Sequence, residues 1–184
     1  MMLLVSQVAW SDDKTAAKEL LVSKIEAALS VLQKKDLVQK EKNKQVTAIV
    51  EPLFDFKLMA KLALGRKYWP SLSEKDRKKF VDLFVERLKA TYVDKLSLYT
   101  NEKVAYESPV QNGIKIQIPT KVISKNKNYS MLYKLYKSSD GYKIYDIEIE
   151  GVSLISTYRS QFSDILSKGT IDDLLLKLEK PENT

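Results

Sequence analysis

Three carboxylates alternate with isoleucine along Asp146-Ile147-Glu148-Ile149-Glu150, with Tyr145 just before them and Tyr158 and Arg159 shortly after. A carboxylate base with tyrosine donors in an apolar setting is equipment for abstracting a proton beside a carbonyl, as in steroid-isomerase-like sites. Asp146, Tyr145 and Tyr158 supply those residue types. Strand alternation sends Asp146 and Tyr145 to opposite faces, however, so a shared site requires a bulge. Arg159 offers a second chemistry, because a planar guanidinium pairs bidentately with phosphate. The competing reading of Arg159 is a structural ion pair with Asp146, Glu148 or Glu150. The chain has no His and no Cys, which removes Ser-His-Asp and Cys-His nucleophiles, Cys/His zinc sites and disulfides. No phosphate-cradling glycine loop occurs either.

The elements that must position these groups belong to a chain of 184 residues, long enough for a substantial core within one domain. Hydrophobic content of 44% and charged content of 30% are ordinary for a folded, soluble chain. Lys+Arg of 31 against Asp+Glu of 24 gives net +7, with pI near 9.3. Such a surface favours phospholipid headgroups, an acidic protein face or nucleic acid, or is simply a solvated lysine coat. The lysines are scattered through residues 34–44, 75–79 and 121–143. They are not gathered with exposed aromatics on one stripe, which argues against nucleic acid. No run reaches the roughly 20 apolar residues needed to cross a bilayer, so no transmembrane segment is expected. Met1 to Ser11 reads either as the tail of a secretory signal, with small residues at Ala9 and Ser11 before a cut, or as a hydrophobic lead-in to a helix. Residues 12–184 are expected to form the one domain.

Leu20, Leu21, Ile25, Ala28, Leu29 and Leu32 predict an amphipathic helix over 14–34. Residues 34–44 are a lysine-rich connector or an early helical turn, and Val46, Ile49, Val50 and Leu53 mark a second helix reaching Phe54. Asp55 and Gly65 bracket a third. After Trp69-Pro70, Ser73 and Asp76 have capping-box spacing. They open the longest helix, about 73–99, with Phe80, Leu83, Phe84, Leu88, Thr91, Tyr92, Leu96 and Tyr99 on its buried side. The period then falls to two. Val104 and Tyr106 begin a strand that turns at Asn112-Gly113. Ile114, Ile116, Ile118, Thr120 and Val122 share a face of the next strand, with Pro119 opposite, marking an edge or a bulge. A third strand covers 129–137, and a fourth, after Asp140-Gly141, points Tyr145, Ile147 and Ile149 inward. Gly151 ends the sheet, a helix covers 152–168, and Thr170 with Asp173 caps a last one. Helices, a four-stranded antiparallel meander and helices again make an α+β chain. On pattern alone, an apolar sheet face opposite an apolar helix stripe describes a filled core before it describes a cavity.

A set of short motifs changes that weighing. They are Phe54-Asp55-Phe56 with Met59-Ala60, Leu64-Gly65 before Trp69, Thr91-Tyr92 ending a Phe-rich helix, and Tyr145-Asp146 on a strand. The corner Glu150-Gly151-Val152-Ser153-Leu154-Ile155, followed by Tyr158-Arg159 and Gln161-Phe162, completes the set. In this order and spacing, from Phe54 to Gly169, the chain resembles the toluene-tolerance (MlaC) family. The resemblance implies an NTF2-like cone, a curved four-stranded sheet packed against several helices around an apolar cavity. It implies a periplasmic phospholipid carrier, not an enzyme, that shuttles lipid between an outer-membrane lipoprotein complex and an inner-membrane ABC transporter complex and so maintains outer-membrane lipid asymmetry. It further implies a monomer with no metal, no nucleic acid and no cofactor besides bound phospholipid. On that footing acyl-chain contact falls to Phe80, Phe84, Leu88 and Tyr92 on the longest helix, and to Ile116, Ile118, Met131, Tyr133, Tyr145, Ile147 and Ile149 on the sheet. Leu154, Ile155 and Tyr158 continue the lining, and Arg159 is the candidate headgroup contact.

Overall fold

In the computed structural model, residues 12–93, 101–125 and 127–180 are described. The signal-like stretch 1–11, together with Leu96, Tyr99 and Pro181, lies outside them. Helices α1 (Asp13–Gln33) and α2 (Gln39–Val50) pack through Ala28, Val31, Leu32 and Val46. Half of the lysine-rich stretch is therefore helix, braced by Gln45 donating to Glu41 at 2.9 Å and Gln39 to Asn43 at 2.7 Å. The second helix stops short of Phe54 because Pro52 has no N–H to donate, and Glu51–Leu53 tightens into a 3₁₀ turn.

Helix α3 (Phe56–Leu64) begins at Asp55, whose carboxylate accepts the Leu58 N–H at 2.8 Å. It ends at Gly65, where φ is +84°. A 3₁₀ turn, Trp69–Ser71, leads into α4 (Glu74–Val93), with the Asp76 N–H donating to the Ser73 hydroxyl at 3.1 Å.

The sheet is antiparallel and six-stranded: β1 (Lys103–Tyr106), β2 (Val110–Asn112), β3 (Lys115–Ile123), β4 (Asn128–Ser138), β5 (Gly141–Ile149) and β6 (Val152–Ser153). The order is β1-β3-β4-β5-β6, with β2 also on β3. The four expected strands are all present. The first is split in two around Pro109, and a two-residue strand is added at the end. Pro119 explains the split. Its carbonyl accepts the Glu107 N–H at 3.0 Å, so its missing donor faces the place where β1 gives way to β2. Glu150 and Gly151 both have positive φ (51° and 80°), which turns β5 tightly back into β6.

A second irregularity sits between β4 and β5. Lys134 pairs with Asp146 but Leu135 pairs with Ile144, leaving Tyr145 as an extra residue. The bulge overturns the expected alternation. Ile144 and Ile147 both enter the core, while Tyr145 packs its ring against Tyr136 at 6.2 Å. Helices α5 (Leu154–Leu166) and α6 (Ile171–Glu179) close the chain. Val152, expected to open the helix over 152–168, stands 59% exposed in β6.

The apolar residues do not merge into one core. One cluster joins α3 to α6, a second joins the sheet to Ala17 and Leu21 of α1, and a third joins α1 to α2. A chain of this length ordinarily builds one contiguous core. The space where the three clusters meet is the feature that matters for function.

Candidate ligand-binding cavity

The cavity measures about 360 Å³, within the range of roughly 300–1,000 Å³ usual for ligand sites. Its walls come from every layer. Helix α1 gives Leu21, Ile25, Ala28, Leu29 and Leu32, and α2 gives Val46 and Val50. Phe54, Phe56 and Met59 enter at the start of α3, Leu88, Tyr92 and Val93 from the C-terminal turns of α4. Met131 and Tyr133 of β4, Ile144, Ile147 and Ile149 of β5, and Leu154 form the sheet side. Phe54 and Phe56 stack at 5.3 Å and 13°, an offset apolar surface fixed by the Asp55 cap between them. That carboxylate also receives the Tyr136 hydroxyl, and the Asp55 N–H donates to the Ile144 carbonyl at 2.9 Å. The cap therefore ties α3 to the sheet at one corner of the cavity.

Polar groups are few. The Tyr133 hydroxyl lies 4.0 Å from the Met131 sulfur, and burial pushes this phenol up to about 12. At the lip, the Lys89 ammonium lies 2.9 Å from Glu51, both side chains about two-fifths exposed. Thr47 stands beside them.

Of the residues expected to meet a guest, Leu88, Tyr92, Met131, Tyr133, Ile147, Ile149 and Leu154 line this space. The others are elsewhere. Phe80, Phe84, Ile155 and Tyr158 fill the helical cluster, where Phe84 meets Tyr158 edge-on at 5.3 Å and Phe80 meets Phe162 at 5.6 Å. The cause is rotational: the Phe stripe of α4 faces α5, and only its last turns reach the cavity. Ile116 and Ile118 are fully buried in the sheet cluster with Ala17 and Leu21. Tyr145 is turned away by the bulge. The contributions of α1, α2, Phe54 and Phe56 escaped the sequence reading, although the α1 stripe and the Phe-Asp-Phe motif were both visible in it.

The groups singled out for chemistry are structural. Asp146 is 5% exposed and accepts the Ser153 hydroxyl at 2.8 Å, the Ile155 N–H at 3.2 Å and the Lys134 ammonium at 3.1 Å. Lys134 also binds Glu148. Burial alone would lower the Lys134 ammonium, but the hydrogen bonds it donates to Glu148 and Asp146 outweigh that and raise it. This cluster anchors the N-terminus of α5, whose Ser153 cap accepts the Ser156 N–H at 3.0 Å. Arg159 makes no pair with these carboxylates. Its Nε donates to the Leu62 carbonyl at 2.8 Å and its stem passes over Gly65. It thus caps the C-terminus of α3 and does not line the cavity. Among the described residues, no cluster of three or more Asp or Glu is placed to hold a metal, and no helix is long and apolar enough to cross a membrane.

Fold and site together define an α+β protein in which helices and an antiparallel sheet enclose an apolar cavity with a charged lip. The family model described as MlaC protein matches residues 23–180. The chain belongs to the MlaC family. It is 29% identical over 119 residues to the intermembrane phospholipid transport system binding protein MlaC of Haemophilus influenzae, a stretch covering 61% of this chain and 56% of that relative. It also superposes on a phospholipid-binding protein from Ralstonia solanacearum, solved in complex with a phospholipid, with a TM-score of 0.79 and 26% identity. That superposition covers 89% of this chain and 94% of the other.

Proposed function

We propose that this chain is a phospholipid carrier of the periplasm, sheltering acyl chains in the cavity and shuttling lipid between outer- and inner-membrane complexes. The observation that carries this reading is the apolar cavity bounded by α1, α2, α4 and the sheet, in a chain whose solved relative holds a phospholipid. The energetics give the cavity its purpose. A diacyl lipid crossing water bare exposes roughly thirty methylenes at about 0.8 kcal/mol each. Even half of that, about 12 kcal/mol, makes unassisted transfer very slow. A carrier must therefore keep the tails dry, and here nearly every wall residue is aliphatic or aromatic.

The role needs neither catalysis nor a resident cofactor, and the bound phospholipid is the cargo. On this reading residues 12–184 form a single lipid-binding domain that works as a monomer. The proton-transfer alternative loses its motivating residues: Asp146 is engaged by Lys134, Ser153 and Ile155, and neither it, Tyr145 nor Tyr158 lines the cavity. Transfer of labelled phospholipid between two vesicle populations tests the proposal. The purified protein should accelerate transfer in proportion to its concentration; a rate equal to that of buffer would contradict it.

A further inference from the structure

The lip of the cavity opens into a second, more exposed groove lined by Asn43, Lys44, Thr47, Glu51, Lys89 and Val93. Four of these, Thr47, Glu51, Lys89 and Val93, also line the apolar cavity. The two spaces thus adjoin at these four residues, one greasy and the other charged. Two ammonium groups face one carboxylate there. Lys89 is paired with Glu51 at 2.9 Å, while Lys44 is exposed and has no ion-pair partner among the described residues. The Asn43 carbonyl oxygen accepts the Gln39 amide at 2.7 Å, which leaves the Asn43 NH₂ group as a donor. Thr47 adds a hydroxyl. The groove is therefore rich in donors and carries an excess of positive charge, at the place where the polar end of a tail-buried molecule must emerge.

We infer that this groove is a phosphate site for the lipid headgroup: Lys89 exchanges Glu51 for the phosphate, and Lys44, Asn43 and Thr47 complete its shell. The assignment rests on the carrier reading. A half-exposed lysine–carboxylate pair is weakly held, so exchanging one anion for another is easy, and the displaced Glu51 returns to Lys89 when cargo leaves. The pair then serves as the closed state of the empty lip. The headgroup source is favoured over a free anion because Thr47, Glu51, Lys89 and Val93 line the groove and the acyl cavity alike.

The test compares release of a tail-labelled phospholipid and of the matching diacylglycerol, which lacks phosphate, from wild type, the double variant K44Q/K89Q and E51Q. Occupancy is read by native mass spectrometry and folding by thermal unfolding. The double variant should release phospholipid roughly two- to fivefold faster, the range of one exposed charge pair, with diacylglycerol unchanged. E51Q, which frees Lys89, should slow phospholipid release. Equal acceleration of both lipids would overturn the headgroup assignment alone, as would binding of inorganic phosphate by the lipid-free protein with no difference between the two lipids. A wild-type protein that loads neither lipid would overturn the carrier reading and this assignment with it.

Discussion

The Asp146 carboxylate on β5 accepts the backbone N–H of Ile155, 3.2 Å away in the first turn of α5, while its other oxygen holds Ser153 and Lys134. One buried side chain thus joins the last long strand to the helix that follows it. Asp146→Ala leaves Lys134 with Glu148 alone and the Ile155 N–H without its acceptor, and should cost about 3 kcal/mol. Asp146→Asn keeps the shape and should cost roughly half as much. Urea unfolding reads both. A loss under about 1 kcal/mol for the alanine variant would mean that the carboxylate is dispensable to the fold.

Arg159 separates a structural role from a ligand role. With its Nε on the Leu62 carbonyl, Arg159→Ala should lower stability by about 1 kcal/mol, as for loss of a cation at a helix C-terminus. Phospholipid release should not change. Faster release from a variant of undiminished stability would favour a headgroup role for this residue instead.

The cavity wall gives the sharpest contrast. Leu88 and Ile147 line it, whereas Ile118 is fully buried away from it. Leu88→Asp and Ile147→Asp place a carboxylate against acyl chains, where an unpaired charge is costly, and should abolish lipid loading in protein that still folds. Ile118→Ala should lose about 2–4 kcal/mol of stability yet carry lipid normally below its melting temperature. Loading and stability are measured on the same samples, so the two effects separate.

Much of the fold was legible because its elements follow strict periods. The cap at Asp55, the Ser73–Asp76 start of α4 and the Asn112-Gly113 turn each follow from local chemistry that tertiary contacts do not override. The cavity was half legible. Alternation identified Met131, Tyr133, Ile147 and Ile149 correctly as inward, but period two cannot foresee the bulge that ejects Tyr145 and admits Ile144. Nor does a helical stripe say which neighbour it faces. Phe80 and Phe84 share a stripe with Leu88 and Tyr92, yet the first pair meets α5 and the second meets the cavity. The α1 wall was missed for a related reason: its stripe read as ordinary core, and only the separation of the three clusters shows otherwise.

Raised phenols set the alkaline limit, Tyr142 and Tyr145 among them, chiefly through burial. Burial raises Tyr133 to about 12, and the hydrogen bond to Asp55, aided by burial, does the same for Tyr136; Tyr106 is raised too, by burial and by Glu26. Each folded pKa lies above the ordinary value of 10.0, so the stabilisation is fully present below pH 10. It is lost as pH rises toward 12. Unfolding free energy should therefore fall across pH 10 to 12, and less steeply in Tyr133→Phe. Phenolate absorbance should show delayed ionisation in the native protein. A simple titration at the ordinary tyrosine value would contradict the buried setting of Tyr133.

Acyl chains kept dry between α1, α4 and the sheet are the centre of this account, and native mass spectrometry of the gently purified protein measures them directly. The account predicts a population heavier than the bare chain by the mass of a phospholipid, stripped by organic solvent and restored by incubation with vesicles. A protein that is always of bare mass, and stays so after exposure to vesicles, would contradict it.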